Sequence, residues 1–218
     1  TTMQAISNLR NRIEPKFVGL NGEKDNGNGS LMRIAPLIPY IYGLVEEQQI
    51  QIISEVSSLT HRHPRSILAC IFLCKFAIQY LATKEIPTAF AYTQKEIKYL
   101  LTQEKFKNEC SHFDRLVNLT YEQFRNIAEN DIKSTGYVID TLEASFWSIF
   151  NNNDFKDSVL CAVNLGYDAD TVGAITGALA GIIYGHDSIP EEWLNVLARK
   201  EDIIELANKL DSATKSNP

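Results

Sequence analysis

The stretch Gly166-Tyr167-Asp168-Ala169-Asp170-Thr171-Val172-Gly173-Ala174-Ile175-Thr176-Gly177-Ala178-Leu179-Ala180-Gly181-Ile182-Ile183-Tyr184 decides the fold class. It splits into a polar turn, Gly166 to Thr171, and an apolar run, Thr171 to Tyr184, that reads as a helix. Gly173, Gly177 and Gly181 recur at spacing four and share one face, with Ala174 and Ala178 beside them. An interior helical glycine costs about 1 kcal/mol relative to alanine, so three on one face predict close approach of another helix. The run from Val172 to Gly185 is shorter than the roughly 20 residues of a membrane span, which makes it a buried helix. It is expected to be a rigid central post that carries the two carboxylates of the turn at its N-terminal end.

Outward from this post the pattern stays helical. Leu44, Ile50, Ile53 and Val56 have amphipathic spacing, and a helix is expected from Pro64 to about Leu81. Ile86-Pro87-Thr88 opens the next, with Phe90, Ile97, Leu100 and Leu101 on its apolar side. Tyr121, Phe124, Ile127 and Ala128 mark a short helix, Val138 to Phe150 a longer one, and Phe155 to about Asn164 another. Pro190 opens a helix through Leu197, and Ile203, Ile204, Leu206, Ala207 and Leu210 carry the last. No alternating strand pattern stands out. The expectation is an all-α single domain over residues 1–218, with a frayed polar tail at 212–218.

Composition narrows the function classes. Apolar residues make up 44% and charged residues 22% of the 218-residue chain, a globular balance that excludes wholesale disorder. The formal net charge of −6 argues against a nucleic-acid partner held by phosphate contacts. Cys70, Cys74, Cys110 and Cys161 form no C-x-x-C pair, and the first two share a helix face. Reduced, buried cysteines in a reducing compartment are expected, hence a cytoplasmic location without a membrane partner. The start at Thr1-Thr2 leads to the expectation that an upstream part has been removed.

Three loops interrupt the helices: Asp25-Asn26-Gly27-Asn28-Gly29-Ser30-Leu31-Met32-Arg33, which leads into an apolar segment ended by Pro36; Ser134-Thr135-Gly136-Tyr137; and Gly166 to Thr171. Asp168, Asp170 and Thr171 offer hard oxygens suited to Mg²⁺, Mn²⁺ or Ca²⁺. The alternative is helix capping, for which one carboxylate suffices. A second carboxylate repels the first unless something positive lies between them. The glycine-rich first loop has unhindered N–H groups that can cradle phosphate, with Arg33 as countercharge, or it is a simple turn. No Lys-Ser/Thr follows it, so it is not a P-loop. Tyr137 can stack on a ring or simply pack. His61 and His63, which flank Arg62 before Pro64, are candidate helix-start hydrogen bonders or ligands.

In this order the loops resemble the ADP-ribosylglycohydrolase family. The resemblance rests on Asn28-Gly-Ser-Leu-Met-Arg-Ile-Ala-Pro36, Thr60-His61 with Pro64, and Gly136-Tyr-Val-Ile-Asp-Thr-Leu-Glu-Ala144. It continues through Ala162-Val-Asn-Leu-Gly-Tyr-Asp-Ala-Asp-Thr171, the glycine helix, and Ile189-Pro190 with Trp193. It implies an all-α orthogonal helical bundle around a cleft with two magnesium or manganese ions, acting on an ADP-ribosylated protein at an arginine. By resemblance, Asp168, Asp170 and Thr171 are metal ligands, and Asp25 faces the scissile ribose as the catalytic carboxylate. Asn28, Gly29 and Met32 contact the ligand, His61 lies beside the cleft, and Ser134, Gly136 and Tyr137 hold the diphosphate and a ring. The family's upstream Thr-Asp-Asp-Thr segment, with its further ligands, has no counterpart in these residues. Tyr167 also stands where many members have glycine. The resemblance therefore implies an N-terminally truncated hydrolase, with a non-catalytic ADP-ribose-binding or interaction domain as the alternative.

Overall fold

The computed structural model describes residues 1–215, and it is helical almost throughout. Among the described residues there is no β-strand, only isolated bridges pairing Leu20 with His61 and Gly27 with Tyr137. The helices are α1 (Thr2–Arg10), α2 (Ile38–Ile41), α3 (Glu46–Ser58), α4 (Pro64–Thr83), α5 (Ile86–Leu101) and α6 (Asp114–Asn118). They continue with α7 (Tyr121–Arg125), α8 (Val138–Phe150), α9 (Phe155–Asn164), α10 (Ala169–Tyr184), α11 (Glu191–Val196) and α12 (Lys200–Lys215). The expected all-α class holds.

Helix α4 is the axis of the core. By length and composition it is apolar enough to cross a membrane. Its residues from Arg65 to Ala77 are all buried, against α3, α5 and α8, and that burial accounts for the apolarity. His63 stands at its N-cap, and its ring Nδ1 accepts the Arg65 N–H at 3.2 Å, satisfying one free donor of the first turn. Lys84 closes the helix in the left-handed conformation, with its N–H on the Tyr80 carbonyl at 2.7 Å. A layer of phenylalanines joins α4, α5, α7 and α8. The Phe146 ring centroid lies 4.7 Å from that of Phe76 and 5.3 Å from that of Phe72, both edge-on, and Phe90 stands 5.0 Å from Phe150. Edge-to-face pairs of this kind add about 0.5–1.5 kcal/mol each beyond burial.

Several expectations are corrected. Helix α1 and the short turns between residues 107 and 118 carried no readable pattern: α1 buries only Ala5, and the turns, although they bury Phe113, Leu116 and Val117, are too short to repeat an apolar face. Pro36 does not end the apolar segment: it takes an early position in a 3-10 turn, Ala35–Leu37, and the chain continues into α2. The glycine face of α10 is tight only at its start. A methyl group on Gly173 would sit 2.8 Å from Val163 Cγ1 of α9, one on Gly177 would find ordinary contact with Val159, and one on Gly181 would meet open space. Cys70 and Cys74 are buried as free thiols, whereas Cys110 is exposed, since its short 3-10 turn lies on the surface. The tail expected to fray from residue 212 is helical through Lys215, because α12 continues that far. The rest of that expectation, 216–218, lies outside the described residues.

Candidate functional site

The three loops that interrupt the helical pattern converge on one place. The Asn28 N–H donates to the Gly136 carbonyl at 3.1 Å and the Val138 N–H to the Asn26 carbonyl at 3.0 Å, which splices the first loop to the second. The Asp168 N–H donates to the Ser134 carbonyl at 3.0 Å, and the Ser134 hydroxyl lies within bonding distance of the Gly166 carbonyl at 3.1 Å, which ties the second loop to the third. The first and third loops then meet directly through the buried Asn28 side chain. Its amide donates to Asp168 Oδ2 and to the Thr141 hydroxyl, the latter at 2.9 Å. The Thr141 hydroxyl donates in turn to the Thr135 carbonyl at 2.8 Å, so its lone pair is free to receive Asn28.

This geometry bears on the capping reading of Asp168. Asp168 occupies the N-cap position of α10, and its backbone carbonyl accepts the Val172 N–H at 3.0 Å, yet its side chain makes no cap hydrogen bond. The carboxylate points instead at Asn28, against Gly136, where an added methyl group would lie 3.7 Å from Asp168 Oδ2. Asp170 is exposed in the first helical turn and Thr171 is buried at the next position. Two carboxylates and a hydroxyl suit a hard divalent cation chemically. Among the described residues, however, no group of three or more His, Cys, Asp or Glu side chains gathers to hold one, so the donor set is partial.

His61 separates cleanly from His63. The helix-start role belongs to His63, while His61 is buried beneath the first loop, where a methyl group on Gly29 would meet its Cε1 at 2.8 Å. Gly29 is therefore required by a close approach. Burial, helped by the nearby Arg33 charge, pushes the His61 pKa down to about 4, so the ring is neutral near pH 7. Arg33 turns away from the expected phosphate cradle: it donates to the Val56 carbonyl at 3.0 Å and to Thr60 Oγ1 at 2.8 Å. Ser134 likewise faces inward, its hydroxyl committed to the turn that aims Asp168. Asp25 is half-buried, and its carboxylate accepts the Gly22 N–H at 3.1 Å and the Thr1 hydroxyl at 3.3 Å. Met32 is 52% exposed.

Sequence reading missed the support under Tyr137. Arg65 is buried with its Nε 2.7 Å from Glu109 Oε2 and its Nη1 2.7 Å from Glu23 Oε1, and its guanidinium lies 5.8 Å from the Tyr137 ring centroid. The Tyr137 hydroxyl meets His112 Nδ1 at 3.1 Å. Burial works against the Arg65 charge, but hydrogen bonds to Glu23 and Glu109 more than offset it and its pKa rises. One signal was available: a cation directly after Pro64, in the first turn of a helix, opposes the dipole and needs carboxylate partners.

Comparison with known proteins shows the family and the fold. The family model described as ADP-ribosylglycohydrolase matches residues 1–218. The chain is 34% identical over 186 residues to the ADP-ribosylarginine hydrolase Tri1 of Serratia proteamaculans, covering 84% of this chain and 46% of that protein. It is 28% identical to the ADP-ribosyl-[dinitrogen reductase] glycohydrolase of Rhodospirillum rubrum, covering 82% of this chain and 53% of the relative. A solved structure titled ADP-ribosylglycohydrolase-related protein complex superposes with a TM-score of 0.79 at 27% identity, covering 98% of this chain and 68% of that one. The chain thus spans about half the length of the curated relatives it matches.

Proposed function

The chain belongs to the ADP-ribosylglycohydrolase family, and from that premise we propose that it forms part of a hydrolase cleaving the N-glycosidic bond between ADP-ribose and a protein arginine. The observation that carries this reading is the Asn28–Asp168 hydrogen bond, which joins three loops distant in sequence and turns a carboxylate away from capping. Asp168, Asp170 and Thr171 would hold magnesium or manganese, with further ligands from outside these residues. When bound, the cation lowers the pKa of a water and helps to orient the sugar.

The chain's own residues do the rest. Asn28 fixes the direction of Asp168, and Thr141 fixes Asn28. Gly29 lets the first loop lie close over the neutral His61, so its N–H groups can face a diphosphate without a side chain between. Tyr137, backed by Arg65, offers a ring face for the ligand, with Gly136 next to it in the chain and Met32 exposed on the first loop. Asp25 takes the proton of the attacking water as the oxygen bonds to the anomeric carbon. As that bond forms, the carbon–nitrogen bond breaks and its electron pair passes to the guanidinium, which leaves as neutral guanidine and takes up the proton that Asp25 removed from the water. No nucleic acid or membrane enters this scheme, and a cytoplasmic site of action fits the unpaired thiols.

The partial donor set favours one alternative, a domain that binds ADP-ribose without turning it over. Chromatographic assay of ADP-ribose released from ADP-ribosyl-arginine with millimolar Mn²⁺ separates the two. Residues 1–218 alone should release none, and a chain that adds a Thr-Asp-Asp-Thr segment upstream should release it readily. Failure of the extended chain as well, with ADP-ribose binding intact, would establish the binding domain. Turnover by 1–218 alone would show that residues such as Asp25 or Glu23 complete the site.

A further inference from the structure

Tyr167 is anomalous in two independent ways. Its φ is +52°, a left-handed conformation that a bulky side chain rarely adopts, and its side chain is 91% exposed, the most exposed large hydrophobic residue among those described. The fold supplies no return for this strain. Helix α9 is already stopped by Gly166, left-handed with φ +78° and its N–H on the Val163 carbonyl at 3.2 Å. A second left-handed residue is needed to swing Asp168 inward onto Ser134, but glycine would supply that turn without steric cost. The other left-handed non-glycine residues, Arg12, Lys84 and Arg199, are long flexible cations at helix ends. Tyr167 alone of the four is aromatic and borders the loop junction. Strain stored beside a site without a packing partner points to something outside the fold.

We propose that Tyr167 is a specificity-determining contact for the polypeptide that carries the modified arginine, an inference that rests on the hydrolase reading above. Residue 168 faces the junction and residue 167 faces solvent, so the ring stands outside the contacts that join the three loops. Tyrosine gives a large, stiff, amphipathic surface, and its face accepts guanidinium and aliphatic groups alike, the chemistry of a peptide around an arginine.

The test compares two substrates, ADP-ribosylated protein and free ADP-ribosyl-arginine, with the full-length protein as wild type, Tyr167→Gly and Tyr167→Phe. Tyr167→Gly should raise KM for the protein substrate about tenfold with kcat unchanged, and leave the small substrate untouched. Tyr167→Phe should behave as wild type. Equal losses on both substrates would place Tyr167 against ADP-ribose or against another part of the protein, and no loss on either would make it inert; both results overturn the inference. A wild type that releases ADP-ribose from neither substrate would overturn the hydrolase reading and this inference with it.

Discussion

The two ends of α8 are built from opposite materials. At its N-terminal end the Val138 N–H is held by the Asn26 carbonyl and the Thr141 hydroxyl receives Asn28, so every contact has a direction. Roughly 14 Å further on, at 1.5 Å per residue, Phe146 and Phe150 meet five other aromatic rings, contacts that are almost wholly apolar apart from the Tyr121 hydroxyl, which donates to the Phe150 carbonyl at 3.3 Å. Burial of rings is non-directional and proportional to area, so that end confers stability and tolerates small shifts. Hydrogen bonds to a carboxylate depend on aim, so the other end confers a site and tolerates none. One helix thus fastens a precise junction to an adaptable core.

Cutting the core should have the largest effect. Phe146→Ala is expected to cost about 3–5 kcal/mol in urea unfolding, because its cavity opens between Phe72 and Phe76 on α4. A loss under 1 kcal/mol would show that the layer repacks and erase the contrast between the ends.

At the junction, acid should act through His61. The folded ring takes up its proton only near pH 4, while an unfolded histidine does so near 6.5. Between those values the unfolded chain binds more protons, so stability falls as pH is lowered through that window, by about 2–3 kcal/mol. Thermal unfolding of His61→Gln should show a shallower decline from pH 6.5 to 4 than wild type. Parallel curves would remove His61 from the account.

Breaking the splice itself comes next. Asn28→Ala leaves Asp168 without its donor and should cost about 1–2 kcal/mol, since Asp168 is partly open to water. Its amide exchange should rise at residues 136–138 and 168 while the phenylalanine layer stays protected. Uniform loosening would mean that the two ends are not independent.

The smallest effects lie along α10. Gly181→Ala should stabilise by about 1 kcal/mol, the propensity gain at an open position. Gly173→Ala should gain nothing or lose stability, because Val163 blocks the added methyl group. Equal gains at both would show that α9 yields.

These contrasts follow what the sequence made legible. Helix α8 was read end to end because apolar residues recur along its whole length, from Val138 to Phe150, and α10 was placed within two residues because only its polar turn blurs the start. Each loop announced itself through glycine, asparagine or paired aspartates. Their pairing did not: Asn28 and Asp168 are 140 residues apart, and nothing local in either names the other. Orientation was equally hidden. Arg33 and Ser134 have the right chemistry for a ligand, yet tertiary packing turns both toward carbonyls of neighbouring turns.

The central claim is that the turn opening α10 holds a cation and is not merely a helix cap, and thermal unfolding of the full-length protein with Mn²⁺ tests it most directly. At about 100 times Kd the wild type should gain roughly 2.7 kcal/mol, and Asp168→Asn combined with Asp170→Asn should abolish that gain. An unchanged response to Mn²⁺ in the double variant would contradict the account and return both aspartates to the role of helix-terminal charges.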